Sequence, residues 1–150
     1  MRKSTDIKLF ILYIVITFGS LVVVIKCNAQ TVQDYSYDFM NDAALWGVNL
    51  TMHAPEIVEV DQRLYLLVDN TKSYVDAYSD GYKYIYFDIY STTYQYNLKV
   101  LVYHEFGHWY LGRGETSARS IMNTGIWSTS WDSLTPQDQT YFIKELFNNK

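Results

Sequence analysis

Two histidines four residues apart, His104-Glu105-Phe106-Gly107-His108, are the residues of this chain whose types and spacing could do chemistry. On a helix, side chains four apart project from one face, so two imidazole nitrogens can meet one metal ion without bending the backbone. Glu105 stands one position on from His104. There it is close enough to take a proton from a metal-bound water and too displaced to be an easy ligand. Zinc with an open position lowers the pKa of such a water toward neutrality. A carboxylate then completes the deprotonation and passes the proton to a leaving amine. The pattern therefore meets the needs of metal-assisted amide hydrolysis. Two surface histidines on an amphipathic helix would give the same five letters by chance. Here Leu98, Leu101, Phe106 and Trp109 leave few purely solvent-facing positions nearby, which favours the metal reading.

A zinc site of this kind needs a third protein ligand. Gly112-Arg113-Gly114 reverses the chain after the motif, and Glu115 follows. Seven residues separate His108 from Glu115. A continuous helix could not bring them together, but a glycine-led turn can. Glu115 is the candidate third ligand, a carboxylate oxygen in place of a third imidazole. Asp132, Asp138, Glu145 and His53 are weaker candidates, each separated from the motif by a longer path.

The elements that must position these residues follow from periodicity. Asp34 to Trp46 carries Tyr35, Phe39, Ala43 and Trp46 at helical spacing, with Gly47 as a stop. Ile57, Val58 and Val60, then Leu64 to Val68, read as two strands paired with each other. Tyr74 to Tyr78 and Tyr82 to Asp88 flank Ser79-Asp80-Gly81, a hairpin signal. Asn97 to Leu111 carries the motif at helical spacing, and Gly112 closes it in the left-handed cap conformation. Thr135 caps a last helix with Pro136 in its first turn and an apolar face at Phe142, Ile143, Leu146 and Phe147. Helix, strands, helix, irregular segment and helix make an α+β domain with a small twisted sheet.

The 150 residues suit one domain, and 17% aromatic against 19% charged residues can bury a core. Residues 1–29 read as a separate object. Arg2, Lys3 and Lys8 precede an uncharged run from Leu9 to Ile25, and Cys27 and Ala29 offer small residues for cleavage before Gln30. This is a signal peptide or an N-terminal membrane anchor, and either leaves residues 30–150 outside the cytoplasm. Four basic residues against Asp6 lie in that segment, so the remainder carries −7 where the whole chain carries −4. An acidic domain excludes nucleic acid as the expected partner. Cys27 is the one cysteine, so no intramolecular disulfide forms and the exported domain relies on its core and a metal.

Residues 102–123 resemble the zincin metallopeptidases, and more narrowly a group of small exported bacterial zinc proteases related to the metzincins. That group's pattern reads H-E-[FL]-G-H-x-x-L-x-R-x-H-D, followed closely by S-I-M-N. His104, Glu105, Phe106, Gly107, His108, Leu111 and Arg113 match the first part, and Ser120-Ile121-Met122-Asn123 the second. The resemblance implies a zincin-like fold with an active-site helix, a Met-turn-like segment and a C-terminal helix. It implies bound Zn2+, a protein or peptide substrate, a monomer, and Met122 as an apolar floor under the zinc histidines. It also implies that Tyr84 to Asp88 is the edge strand beside the cleft, where an extended substrate adds by main-chain hydrogen bonds. One departure stands out: the group has histidine and aspartate where this chain has Glu115 and Thr116. The alternative is therefore a degenerate zincin that binds peptides or envelope proteins without cleaving them.

Overall fold

The computed structural model describes residues 9–14, 23–28, 30–50, 52–68, 71–123 and 130–148. The chain forms two units, Met1–Thr31 and Val32–Lys150. In the first, β1 (Leu9–Ile14) and β2 (Val23–Asn28) pair antiparallel, with Leu9 opposite Asn28 and Ile14 opposite Val23. The basic start at Arg2, Lys3 and Lys8, the centre of the apolar run and Ala29 lie outside the described residues. No helix among the described residues is long and apolar enough to cross a membrane.

The second unit is a small α+β domain with three α-helices and a mixed three-stranded sheet. Helix α1 (Val32–Leu45) buries Phe39 and Ala43 on the stripe expected from sequence, and Gly47, with φ 71°, turns the chain out of it. The strands are β3 (Glu56–Val60), β4 (Leu64–Val68), β5 (Thr71–Val75), β6 (Ala77–Ser79) and β7 (Tyr84–Asp88). The sheet order is β3-β7-β6, with β3 parallel and β6 antiparallel to β7.

Three expectations change here. β3 and β4 are not partners: β3 pairs with β7, and β4 pairs with β5 in a separate two-stranded sheet. Tyr84–Asp88 is accordingly the central strand of its sheet, not an edge. Both of its edges are paired, to β3 on one side and β6 on the other, while Ile85 and Phe87 are fully buried on one face. The expected strand Tyr74–Tyr78 also breaks at Asp76, its two halves joining different sheets. The hairpin turn holds as read: Asp80 Oδ1 accepts from the backbone N–H of Tyr82, Lys83 and Tyr84 at 2.9, 2.8 and 2.9 Å.

Helix α2 (Thr92–Leu111) lies against α1, β6 and β7. Ser91 caps it by accepting from Tyr94 N at 2.9 Å. The helix starts five residues before the expected Asn97, because Asn97 is a non-helical break (φ −140°, ψ 33°) between two helical pieces. Its buried amide oxygen accepts from Trp131 N at 2.7 Å, which holds the break in place. Helix α3 (Pro136–Asn148) begins at the Thr135 cap and buries Phe142, Ile143, Leu146 and Phe147. Phe39 joins the three helices, its ring 5.2 Å from Tyr103, 5.3 Å from Phe106 and 5.1 Å from Phe147. Each such fully buried aromatic stabilises the fold by roughly 1.5–3 kcal/mol, so the part of α2 that carries the motif is anchored by its own core face.

Candidate metal centre

His104 and His108 are one turn apart on α2, their rings 4.7 Å between centroids and nearly perpendicular. His104 is 4% exposed, and His108 is at the cleft surface. Gly112 ends the helix with φ 61°, a left-handed conformation that glycine adopts without strain. Its N–H and that of Arg113 both bond to Gly107 O, so the chain folds back over its own last turn. The reversal carries Glu115 to the histidines. Its Oε1 lies 3.1 Å from His104 Nε2 and 3.2 Å from His108 Nε2, and the two Nε2 atoms are 3.1 Å apart. Among the described residues this is the one group of three or more metal-binding side chains that converges so.

The other ring nitrogens define the chemistry of that triangle. His104 Nδ1 is 2.9 Å from Ile121 O, and His108 Nδ1 is 2.5 Å from Arg113 O. A carbonyl oxygen only accepts, so each Nδ1 carries the hydrogen, and in the neutral form of either ring Nε2 then presents its lone pair. Three acceptor atoms, two nitrogens and a carboxylate oxygen, therefore face one point, an arrangement a cation stabilises. Zinc–nitrogen and zinc–oxygen distances of about 2.0–2.1 Å place tetrahedral ligands about 3.3 Å apart. The observed triangle fits a single zinc-sized ion within a few tenths of an ångström, with Nδ1 hydrogen bonds that fix ring orientation as metal-bound histidines require. Burial, the largest influence, lowers the pKa of His104 below its ordinary value, which favours the neutral ring.

Glu105 points to the same cleft and is 6% exposed. Burial, and after it the charge of Glu115, pushes its carboxyl up to about 8. The cleft has a volume of about 630 Å³ and is bordered by β6 at Ala77, Tyr78 and Ser79, with Met52, Val75 and Trp109 as apolar walls. Trp109 Nε1 donates to His53 O at 3.0 Å, tying the Met52 rim to the motif helix.

Beneath the helix, the turn Ser120–Asn123 closes through Asn123 N to Ser120 O at 3.1 Å. It places the fully buried Met122 against Gly107, where a Cβ would lie 2.5 Å from Met122 Sδ. Gly107 is thus what lets the methionine approach the turn of helix between the histidines.

His53, Asp132, Asp138 and Glu145 are outside the triangle. Asp138 pairs with Arg119, and His53 meets the motif helix through its backbone carbonyl. Glu145 is held by Arg113 and Ser120 instead of facing the histidines. Ser91, Asn97 and the carbonyls of Arg113 and Ile121 support the site without being expected from the motif itself. Ser91 carried a readable signal, a serine three residues before the N–H it caps; backbone carbonyls carry none.

No protein-family model matches the chain, and no curated protein or solved structure matches it.

Proposed function

We propose that this chain is a zinc-dependent endopeptidase of the zincin kind, related to the small exported metzincin-like proteases that residues 102–123 resemble. The observation that carries the reading is the triangle of three acceptor atoms at 3.1–3.2 Å, with both histidines oriented by backbone carbonyls. His104, His108 and Glu115 would hold the ion. Zinc bound there supplies a Lewis acid that makes water acidic near neutral pH.

Glu105 takes the proton of the attacking water and returns it to the leaving amine. Glu105 is buried in the wall of the cleft that His108 and Glu115 also line, beside the water it would serve as base. The open edge of β6 borders the cleft, so an extended peptide can add to it by main-chain hydrogen bonds, with Met52, Val75 and Trp109 available to an apolar side chain. Residues 1–29 act in this reading as a signal peptide or anchor that delivers residues 30–150 outside the cytoplasm, where the domain works as a monomer.

The test is metal analysis and peptide turnover of the purified full-length chain. One zinc per chain is expected, lost in His104→Ala and His108→Ala. Glu105→Gln should keep zinc and lose turnover by orders of magnitude, since it keeps the shape and removes the base. Zinc without turnover in the unaltered chain assigns it to the degenerate, peptide-binding alternative. An unaltered chain that takes up no zinc refutes both.

A further inference from the structure

We infer that Glu145, on α3, is the positioning residue that sets the orientation of both metal-facing histidines. The inference rests on the metal reading above and names a residue that reading does not use. Each histidine is aimed by one backbone carbonyl, His104 by Ile121 O and His108 by Arg113 O. Those carbonyls belong to two separate segments of irregular chain, one on each side of Glu115. Irregular backbone keeps a carbonyl in one direction only when something fixes the neighbouring atoms.

The two oxygens of Glu145 do this for both segments. Oε1 accepts from Arg113 Nη2 at 2.7 Å, and Oε2 accepts from Ser120 Oγ at 2.5 Å. Arg113 is held further by Nη1, which donates to Leu146 O at 3.0 Å and Glu145 O at 3.3 Å at the end of α3. Arg113 therefore has its side chain locked to α3, its N–H bonded to Gly107 O, and its carbonyl on His108. Ser120 is fully buried, and its Oγ accepts from Met122 N at 3.0 Å while donating to Glu145. Ile121 O and Met122 N–H belong to one peptide unit, so the bond from that N–H to Ser120 Oγ fixes the carbonyl that reaches His104. One carboxylate thus spans the two supports, and charge-assisted bonds make both stiff. The side chains of Arg113 and Glu145 are only 16% and 15% exposed, so water competes weakly for the pair.

The experiment compares Glu145→Ala and Glu145→Gln with Ile143→Ala, which damages the same helix on the face that borders the cavity lined by Trp46 and Trp131. Two quantities are read on the full-length chain: zinc affinity by chelator competition, and the imidazole tautomers of His104 and His108 by nitrogen NMR after metal removal. Glu145→Ala should weaken zinc binding by about 10–100-fold, the range for loss of a residue that orients a ligand. In the metal-free chain it should add the Nε2–H tautomer to rings that otherwise carry Nδ1–H. Glu145→Gln keeps one acceptor oxygen and should fall between, and it replaces Glu145→Ala if that variant does not fold. Ile143→Ala should leave both quantities unchanged. Unchanged tautomers in the Glu145 variants overturn the inference, as does Ile143→Ala changing them equally. If the unaltered chain binds no zinc, the metal reading fails by itself, and the tautomers still decide whether Glu145 orients the rings.

Discussion

Gly107→Ala separates the packing at the candidate centre from helix propensity, because the two push in opposite directions. Inside an exposed helix the change from glycine to alanine stabilises by about 1 kcal/mol. At position 107 the new Cβ would lie 2.5 Å from Met122 Sδ, 3.3 Å from Met122 Cε and 3.2 Å from Leu146 Cδ1. Contact between such atoms is comfortable at roughly 3.5–4.0 Å, so the sulfur must retreat by about an ångström. It has little room to do so. Met122 is fully buried, its N–H is bound to Ser120 Oγ, and its carbonyl accepts from Thr116 N at 3.1 Å. Overpacking of this kind costs about 1–3 kcal/mol, which outweighs or cancels the propensity gain. Urea unfolding of the full-length chain should show Gly107→Ala without the propensity gain, from neutral to destabilised by about 2 kcal/mol. In a Met122→Ala background the same change should be neutral or stabilising, with a coupling of about 1–3 kcal/mol between the sites. If Gly107→Ala stabilises the unaltered chain as much as the Met122→Ala chain, Met122 does not pack under the histidine turn.

Glu115→Ala should weaken zinc binding sharply by chelator competition while Glu115→His retains it; equal affinity of Glu115→Ala and the unaltered chain would remove Glu115 from the ligand set. In the metal-free chain Glu105 is raised from 4.5 to about 8, so the folded state holds a proton that the unfolded chain releases, and stability falls as pH rises through that interval. Glu105→Gln should flatten this loss in urea titrations with chelator from about pH 5 to about pH 8.5, the window set by that shift; parallel curves for the two chains refute it. The N-terminus of the exported protein should be Gln30 if residues 1–29 are cleaved and Met1 if they anchor it, and a wholly cytosolic reporter fusion contradicts export.

The part of the centre that sequence made legible lies within Val102 to Glu115, where local rules suffice. The helix period puts His104 and His108 on one face, and one glycine cap reverses the chain to bring Glu115 back. The strand pairing was not legible, because alternation tells a strand which face is buried but not which strand lies beside it. Glu56–Val60 looks equally suited to its neighbour Leu64–Val68 and to Tyr84–Asp88, and only the fold shows it took the latter. The helix start was missed for a related reason. Asn97 reads as a helix entry, but Ser91 supplies a cap six residues earlier and Trp131 N occupies the asparagine's oxygen from a distant segment.

Glu145 shows where the limit falls. In sequence it is one more carboxylate downstream of the motif, eligible as a ligand on the same terms as Asp138. Its actual partners are 32 and 25 residues away, at Arg113 and Ser120. No periodicity distinguishes a carboxylate that converges on the histidines from one that pairs with Arg113 and Ser120. The distinction is one of charge. Glu115 and Glu105 already bring two carboxyl groups to the cleft, and burial disfavours a proton on His104. A divalent cation can balance a cluster of that kind, whereas a third carboxylate beside it would add repulsion. Paired with Arg113, Glu145 instead has its charge met away from the triangle.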